Sequence, residues 1–312
     1  MKEVTEAWTK WRGLVFEQSQ SENCLIAWSK PTQLEFSLPI KIGSDSIEVM
    51  NPEVPKALES IGWFVPPYVG VSILETVSRQ IIAAKGRFDD VRVEQFLAHL
   101  YGPDRLASMV VDRYSKTDVV DLYQKTIAEA VAAHFSNFHH IAVAGLMPVV
   151  EGIGRELSRL RGLTLGQNPQ LHVKDMFTEL LTEAKQDAWN KKVGKTQEID
   201  DMLTGSLNFL TKYFFEKSSR YPATDNTNRP GILHGAFRDA DYGRPINFYK
   251  TISAVDILTF VSMLRMPKMS GFVPPNTPEA TALAERFEEI QKASPFPNGH
   301  AVGTKWNPFL VL

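Results

Sequence analysis

Apolar residues recur at helical spacing along most of this chain. In VGVSILETVSRQIIAAKG, residues 69–86, the residues Ile73, Val77, Ile81 and Ile82 share one face, which predicts an amphipathic helix closed by Gly86. The same periodicity predicts helices over 91–100, 104–114, 118–135, 141–160, 173–189, 199–215 and 246–264, with Thr117, Asp118 and Asn247 as capping residues near helix starts. Polar or Gly-rich stretches at 162–170 and 218–228 predict loops between them.

The first 65 residues follow another rhythm. Leu34-Glu35-Phe36-Ser37-Leu38, Ile40-Lys41-Ile42 and Ile47-Glu48-Val49 alternate apolar with polar and are interrupted by Pro39 and Gly43, a pattern of short strands. A helix over 55–61 and the turn GWFVPPYVG then hand the chain to the helical body, with Trp63 and Phe64 as buried anchors. The expected organisation is a β-containing segment over 1–65 and an all-helical domain over 66–312, that is, a mainly α fold. The domain's tail is rich in Pro and Gly, apart from a charged helix near 277–292, and ends in Phe309-Leu310-Val311-Leu312, which is expected to dock onto the body.

With 312 residues, 43% of them hydrophobic and 22% charged, the chain can bury a large core. The opening stretch, MKEVTEAWTKWRGLVFEQ, mixes charges among its apolar residues and reads as neither a secretory nor a transit signal. Apolar runs such as 141–150 fall short of the ~20 residues a membrane span needs. The single cysteine, Cys24, excludes an internal disulfide and a thiolate-rich zinc site, which fits a reducing compartment and the cytoplasm. Lys and Arg total 34 against 36 acidic residues, so no global positive field gathers nucleic acid, and any such contact has to be local.

Phosphate-binding and dinucleotide-binding glycine patterns, zinc-protease helices and nucleophile elbows are all missing from the sequence. His139 and His140 point about 100° apart on a helix and have no carboxylate or cysteine at ligand spacing, so they read as structural or surface residues. Arg92 and His99 share a helix face with no loop or cleft beside them and read as a solvated edge. The segment that stands out is NRPGILHGAFRDADYGRPINFYKTISAVDIL, residues 228–258. Arg229 offers a permanent cation for a phosphate, and His234 a group that exchanges protons near neutrality. That pairing suits cleavage of a phosphodiester without a metal or cofactor. Upstream, MPVVEGIGREL places Glu151 and Arg155 one helical turn apart, where Glu151 can orient Arg155 or Arg229. Its apolar neighbours argue that this helix is buried.

Asn228, Arg229, Ile232, Leu233, His234 and Gly235, followed by Asp241-Tyr242-Gly243 and by Asn247 and Lys250, resemble the HEPN superfamily, whose ribonucleases carry an R-x4-6-H motif in a helical bundle. The wording is similar to a group of bacterial HEPN-like proteins over about 30 residues. The resemblance implies an endoribonuclease of toxin or phage-defence type, with Arg229 and His234 catalytic and Asn228, Glu151, Arg155, Asp241 and Tyr242 in support. It also implies a homodimer with the site between two protomers, RNA as substrate, and an antitoxin or defence-system partner. Arg238 and Arg244 are the expected contacts to the RNA backbone.

Two features depart from the pattern. The residue after the motif arginine, usually polar in active members, is Pro230, which suits the first turn of a short helix instead. Residues five apart on an ideal helix also lie about 140° from each other, so pairing Arg229 with His234 requires a distorted turn, which Gly231 and Gly235 allow. The competing reading is a non-catalytic module that binds a nucleotide or protein, with Arg229 paired to Glu151 or Asp241 as a brace and His234 bonded to a neighbouring helix.

Overall fold

The computed structural model describes residues 14–18, 24–29, 35–39, 50–85, 90–163, 169–190, 196–266 and 273–294. The chain is mainly helical and divides into two units, Met1–Val49 and Met50–Leu312. In the first unit three strands, β1 (Leu14–Gln18), β2 (Cys24–Ser29) and β3 (Glu35–Pro39), pair antiparallel in the order β1-β2-β3. The register sets Leu14 opposite Ser29 and Cys24 opposite Pro39. The alternating residues of 40–49, the expected stop at Gly86 and the apolar C-terminus at 309–312 lie outside the described residues.

The second unit begins earlier than residue 66, because the segment from Met50 onward belongs to its core. Trp63 and Phe64 are each 1% exposed, and Trp63 Nε1 donates to Ser253 Oγ at 3.2 Å. The helices are α1 (Glu53–Ser60), α2 (Val71–Ala83), α3 (Asp90–Leu100), α4 (Pro103–Asp112), α5 (Gln124–Phe135), α6 (His139–Leu160), α7 (Pro169–Asn190) and α8 (Thr196–Phe209). A π-turn over Leu210–Phe214 extends α8. After it come the short α9 (Arg229–Leu233), then α10 (Pro245–Met263) and α11 (Pro278–Ala293).

Helix α10 is the axis of this unit. It is enclosed by protein on all sides, and every residue from Ile246 to Met263 is buried, polar ones included. It packs on α3, α6 and α8; α5 and α7 flank α6, and α11 lies across α4 and α5. Its polar side chains are satisfied inside the bundle. Thr251, Ser253 and Thr259 return their hydroxyls to the carbonyl four residues back. Asp256 accepts from Tyr114 Oη at 2.6 Å, from Arg105 Nη2 at 3.2 Å and from Tyr101 Oη at 3.3 Å. Burial nevertheless pushes the Asp256 carboxyl above its ordinary value, against the pull of Arg105 and the hydroxyl donors.

Two expected helix starts differ. The helix predicted from residue 118 begins at Gln124, because Thr117 bonds back to Arg113 O instead of capping forward, and Val119 adopts a left-handed φ of 72° that no helix continues through. Asn247 sits inside the first turn of α10 rather than at its cap. The helix starts at Pro245 after Arg244, and Asn247 Oδ1 accepts from Arg244 N at 2.9 Å.

Candidate functional site

Asn228 builds the segment that carries the motif. Its backbone is extended (φ −132°, ψ 116°), and Oδ1 accepts from Gly231 N at 2.8 Å, which caps the five-residue α9. Its amide donates to Tyr213 O at 2.9 Å and to Glu216 O at 2.8 Å. Tyr213 belongs to the π-turn, where the displaced helical ladder leaves carbonyls in need of donors. One fully buried side chain therefore both starts α9 and fastens it to the end of α8.

Behind Asn228 lies a buried polar chain anchored on α10. Lys250 Nζ, on a side chain 1% exposed, bonds Asp225 Oδ2 at 2.7 Å and Ile61 O at 3.1 Å. Asp225 Oδ1 accepts from Tyr221 Oη at 2.7 Å and Thr227 N at 2.8 Å. Asn247 Nδ2 donates to Asp225 O at 2.6 Å and Thr227 Oγ1 at 3.0 Å. Burial works to raise the Asp225 carboxyl, but the Lys250 cation and the donors of Lys250, Thr227 and Tyr221 together hold it below its ordinary value. Burial, reinforced by Asp225, pushes the Tyr221 phenol well up. Asn247 and Lys250, singled out in sequence as part of the resemblance, thus fix the loop that leads into Arg229.

The motif residues meet on the surface. His234 follows α9 as its C-cap with φ −100° and ψ 9°, so it leaves the helical path and its ring can return toward the first residue. Gly235, at φ 71°, continues the reversal, and Phe237 folds under Gly231, where a Cβ would collide with the Phe237 ring. Arg229 Nη1 lies 3.2 Å from His234 Nε2, and His234 is exposed. The guanidinium has only donors, so this contact is a hydrogen bond when Nε2 is the accepting nitrogen of the ring. Arg229 Nη2 meets Glu151 Oε2 at 2.9 Å. The other carboxylate oxygen, Oε1, takes Arg155 Nη2 at 2.6 Å and Nε at 2.9 Å. Glu151 therefore orients both arginines, and Arg155, expected on a buried helix face, is an exposed residue.

Compared with family models, curated proteins and solved structures, this chain matches none.

The remaining expected residues are placed apart from this cluster. Asp241 Oδ2 accepts from Arg238 N at 2.8 Å within the loop after His234, and Asn226 Nδ2 donates to Asp241 O at 2.9 Å. Tyr242 meets His140 edge-to-face, with 4.8 Å between ring centroids, and His140 Nε2 lies 3.3 Å from Asp239 O. Tyr242 thus packs the loop onto the start of α6, Asp241 ties it to Asn226, and these contacts lie apart from the Arg229–His234 pair. Arg238 is exposed, as a backbone contact requires. Arg244 is charge-matched within the fold by Asp90 at 3.0 Å and Glu94 at 3.6 Å, so it acts as a clamp between α10 and α3 and does not offer an open cation.

Sequence reading passed over His134. Its Nδ1 lies 3.2 Å from His139 Nδ1, and its ring stacks on Phe248 with centroids 3.9 Å apart. Burial, and then the neighbouring His139, press His134 well below its ordinary value. The five-residue separation in sequence was available as a signal, but only packing against α10 shows that the rings face each other. Arg92 and His99 are exposed, as a solvated edge should be. Among the described residues no group of three His, Cys, Asp or Glu side chains is gathered to hold a metal ion, and no helix is long and apolar enough to cross a membrane.

Proposed function

We propose that the chain is a HEPN-like endoribonuclease that cleaves RNA without a metal, using Arg229 and His234. The observation that carries this reading is a solvent-facing imidazole within 3.2 Å of a guanidinium nitrogen. The Nε of Arg229, buried and without an acceptor among the described residues, adds a donor that a phosphate can satisfy only as the guanidinium turns outward to meet it.

The resting geometry implies an order of events. A phosphate arriving at Arg229 competes for Nη1, and as the guanidinium turns to the phosphoryl oxygens, the Nε2 lone pair of His234 is released. Nε2 then takes the proton of the 2′-hydroxyl, whose oxygen attacks the adjacent phosphorus. Arg229 neutralises the charge that builds on the phosphoryl oxygens. The bond to the 5′ oxygen breaks, that oxygen leaves with a proton returned by the imidazolium, and a 2′,3′-cyclic phosphate remains. Asn228 and Glu151 position the pair. The reading includes a homodimer that brings two such pairs to one groove, a restraining antitoxin or defence-system partner, and a small β-containing N-terminal segment ahead of the helical domain.

A second reading has its own support: the Arg229–Glu151 pair at 2.9 Å and Pro230 at the first turn fit a brace in a module that binds a nucleotide or protein. Incubation with mixed tRNA and single-stranded RNA in EDTA decides between them. Ribonuclease predicts cleavage by the parent chain and none by His234→Ala, with cyclic-phosphate ends. Intact RNA with a well-folded dimeric parent chain refutes the cleavage reading.

A further inference from the structure

An aromatic ring packs against the residue that follows Glu151 on α6. At 100° per residue, Arg155 lies about 40° round α6 from Glu151, and Gly152 about 100° round, so Arg155 falls between the Glu151–Arg229 pair and Gly152. Tyr123 packs onto Gly152 so closely that a Cβ there would run into its hydroxyl and ring. The Tyr123 ring is half-buried and Leu122 beside it is 68% exposed. His234, Arg229, Glu151 and Arg155 are linked one to the next by contacts, and Tyr123 packs on the same helix against Gly152, the neighbour of Glu151.

We propose that Tyr123 is a base-stacking residue of this site, seating a nucleobase of single-stranded RNA while Arg155 and Arg229 hold a flanking phosphate. The inference rests on the reading of RNA as the substrate. An aromatic face beside two guanidinium groups supplies what an unpaired nucleotide offers on each side, a π-surface and an anion. Contact with the backbone at Gly152 holds the ring in place before any ligand arrives, which lowers the entropy cost of stacking. No hydrogen bond to a base edge is required, so the preference is for single strands over duplexes and is tolerant of sequence.

The test uses the full chain carrying His234→Ala, which binds without cutting, and two probes, an oligoriboadenylate and inorganic polyphosphate of similar charge. Adding Tyr123→Ala is expected to weaken the oligoriboadenylate about 10- to 100-fold and leave polyphosphate binding unchanged. Adding Tyr123→Phe, which keeps the ring, is expected to restore the RNA affinity. Binding of RNA that is indifferent to Tyr123→Ala, or equal loss of both probes, overturns the stacking role and leaves the substrate reading in place. Failure of the parent to bind any RNA overturns both. Stronger binding of duplex than of single strand also refutes the proposal.

Discussion

Replacing Lys250 by Met removes the cation from a carboxylate that has no access to water. Lys250 and Asp225 are 1% and 2% exposed and 2.7 Å apart, and a buried pair broken on one side costs about 3–5 kcal/mol. In a unit of this size that corresponds to a fall of roughly 6–20 °C in the thermal midpoint. The pH dependence is the sharper signature. In the parent, the lowered Asp225 contributes stability above its unfolded value near ~3.9 and loses it as pH falls through the folded value. Without Lys250, burial dominates, the carboxyl rises above its unfolded value, and protonation favours the fold. The deficit of Lys250→Met relative to the parent is therefore expected to shrink as pH is lowered from 7 toward about 5. Urea unfolding of both chains at each pH cancels the contributions of other groups. The double variant Lys250→Met/Asp225→Asn is expected to recover part of the loss. A deficit below about 1 kcal/mol at neutral pH, or one that grows on acidification, refutes the account of this network.

Two other perturbations probe the site's surroundings. His134, lowered by burial and by His139, gives stability that is complete above its unfolded value near ~6.5 and declines as pH falls below it; thermal scans at neutral and mildly acidic pH should show this slope in the parent and a shallower one in His134→Leu. Gly235→Ala places a side chain at φ 71° and is expected to cost about 1–2 kcal/mol in urea unfolding, while Gly235→Asn, which tolerates that region, costs less.

The helices were legible where burial is one-sided or complete. The apolar periodicity of 246–264 announces α10, and that of 69–86 announces α2, although its buried stripe runs through Leu74, Val77 and Ile81 while Ile73 and Ile82, expected on the same face, are exposed. Arg229 and His234 were legible as a pair, and the structure brings them together through the C-cap geometry at His234, which spacing alone does not encode. What stayed hidden depends on partners distant in sequence. Asp225 lies in a run of polar loop residues and looks no different from its neighbours until Lys250 reaches it across 25 positions. Asn247 has the chemistry of a cap, and its actual role, bridging Asp225 and Thr227, follows from where the preceding loop crosses α10. Arg244 looked available for an anion because nothing nearby in sequence shows that Asp90 and Glu94 flank it.

The alternation of Arg155, Glu151 and Arg229 fixes how the site answers to ionic strength. The carboxylate between the two guanidinium groups leaves the row with one net positive charge while His234 is neutral. An anionic strand held there displaces about one counterion, so the logarithm of its affinity should fall with the logarithm of salt concentration at a slope near −0.7. Added salt would then weaken such a complex only gently, unlike a complex held by a long basic stripe.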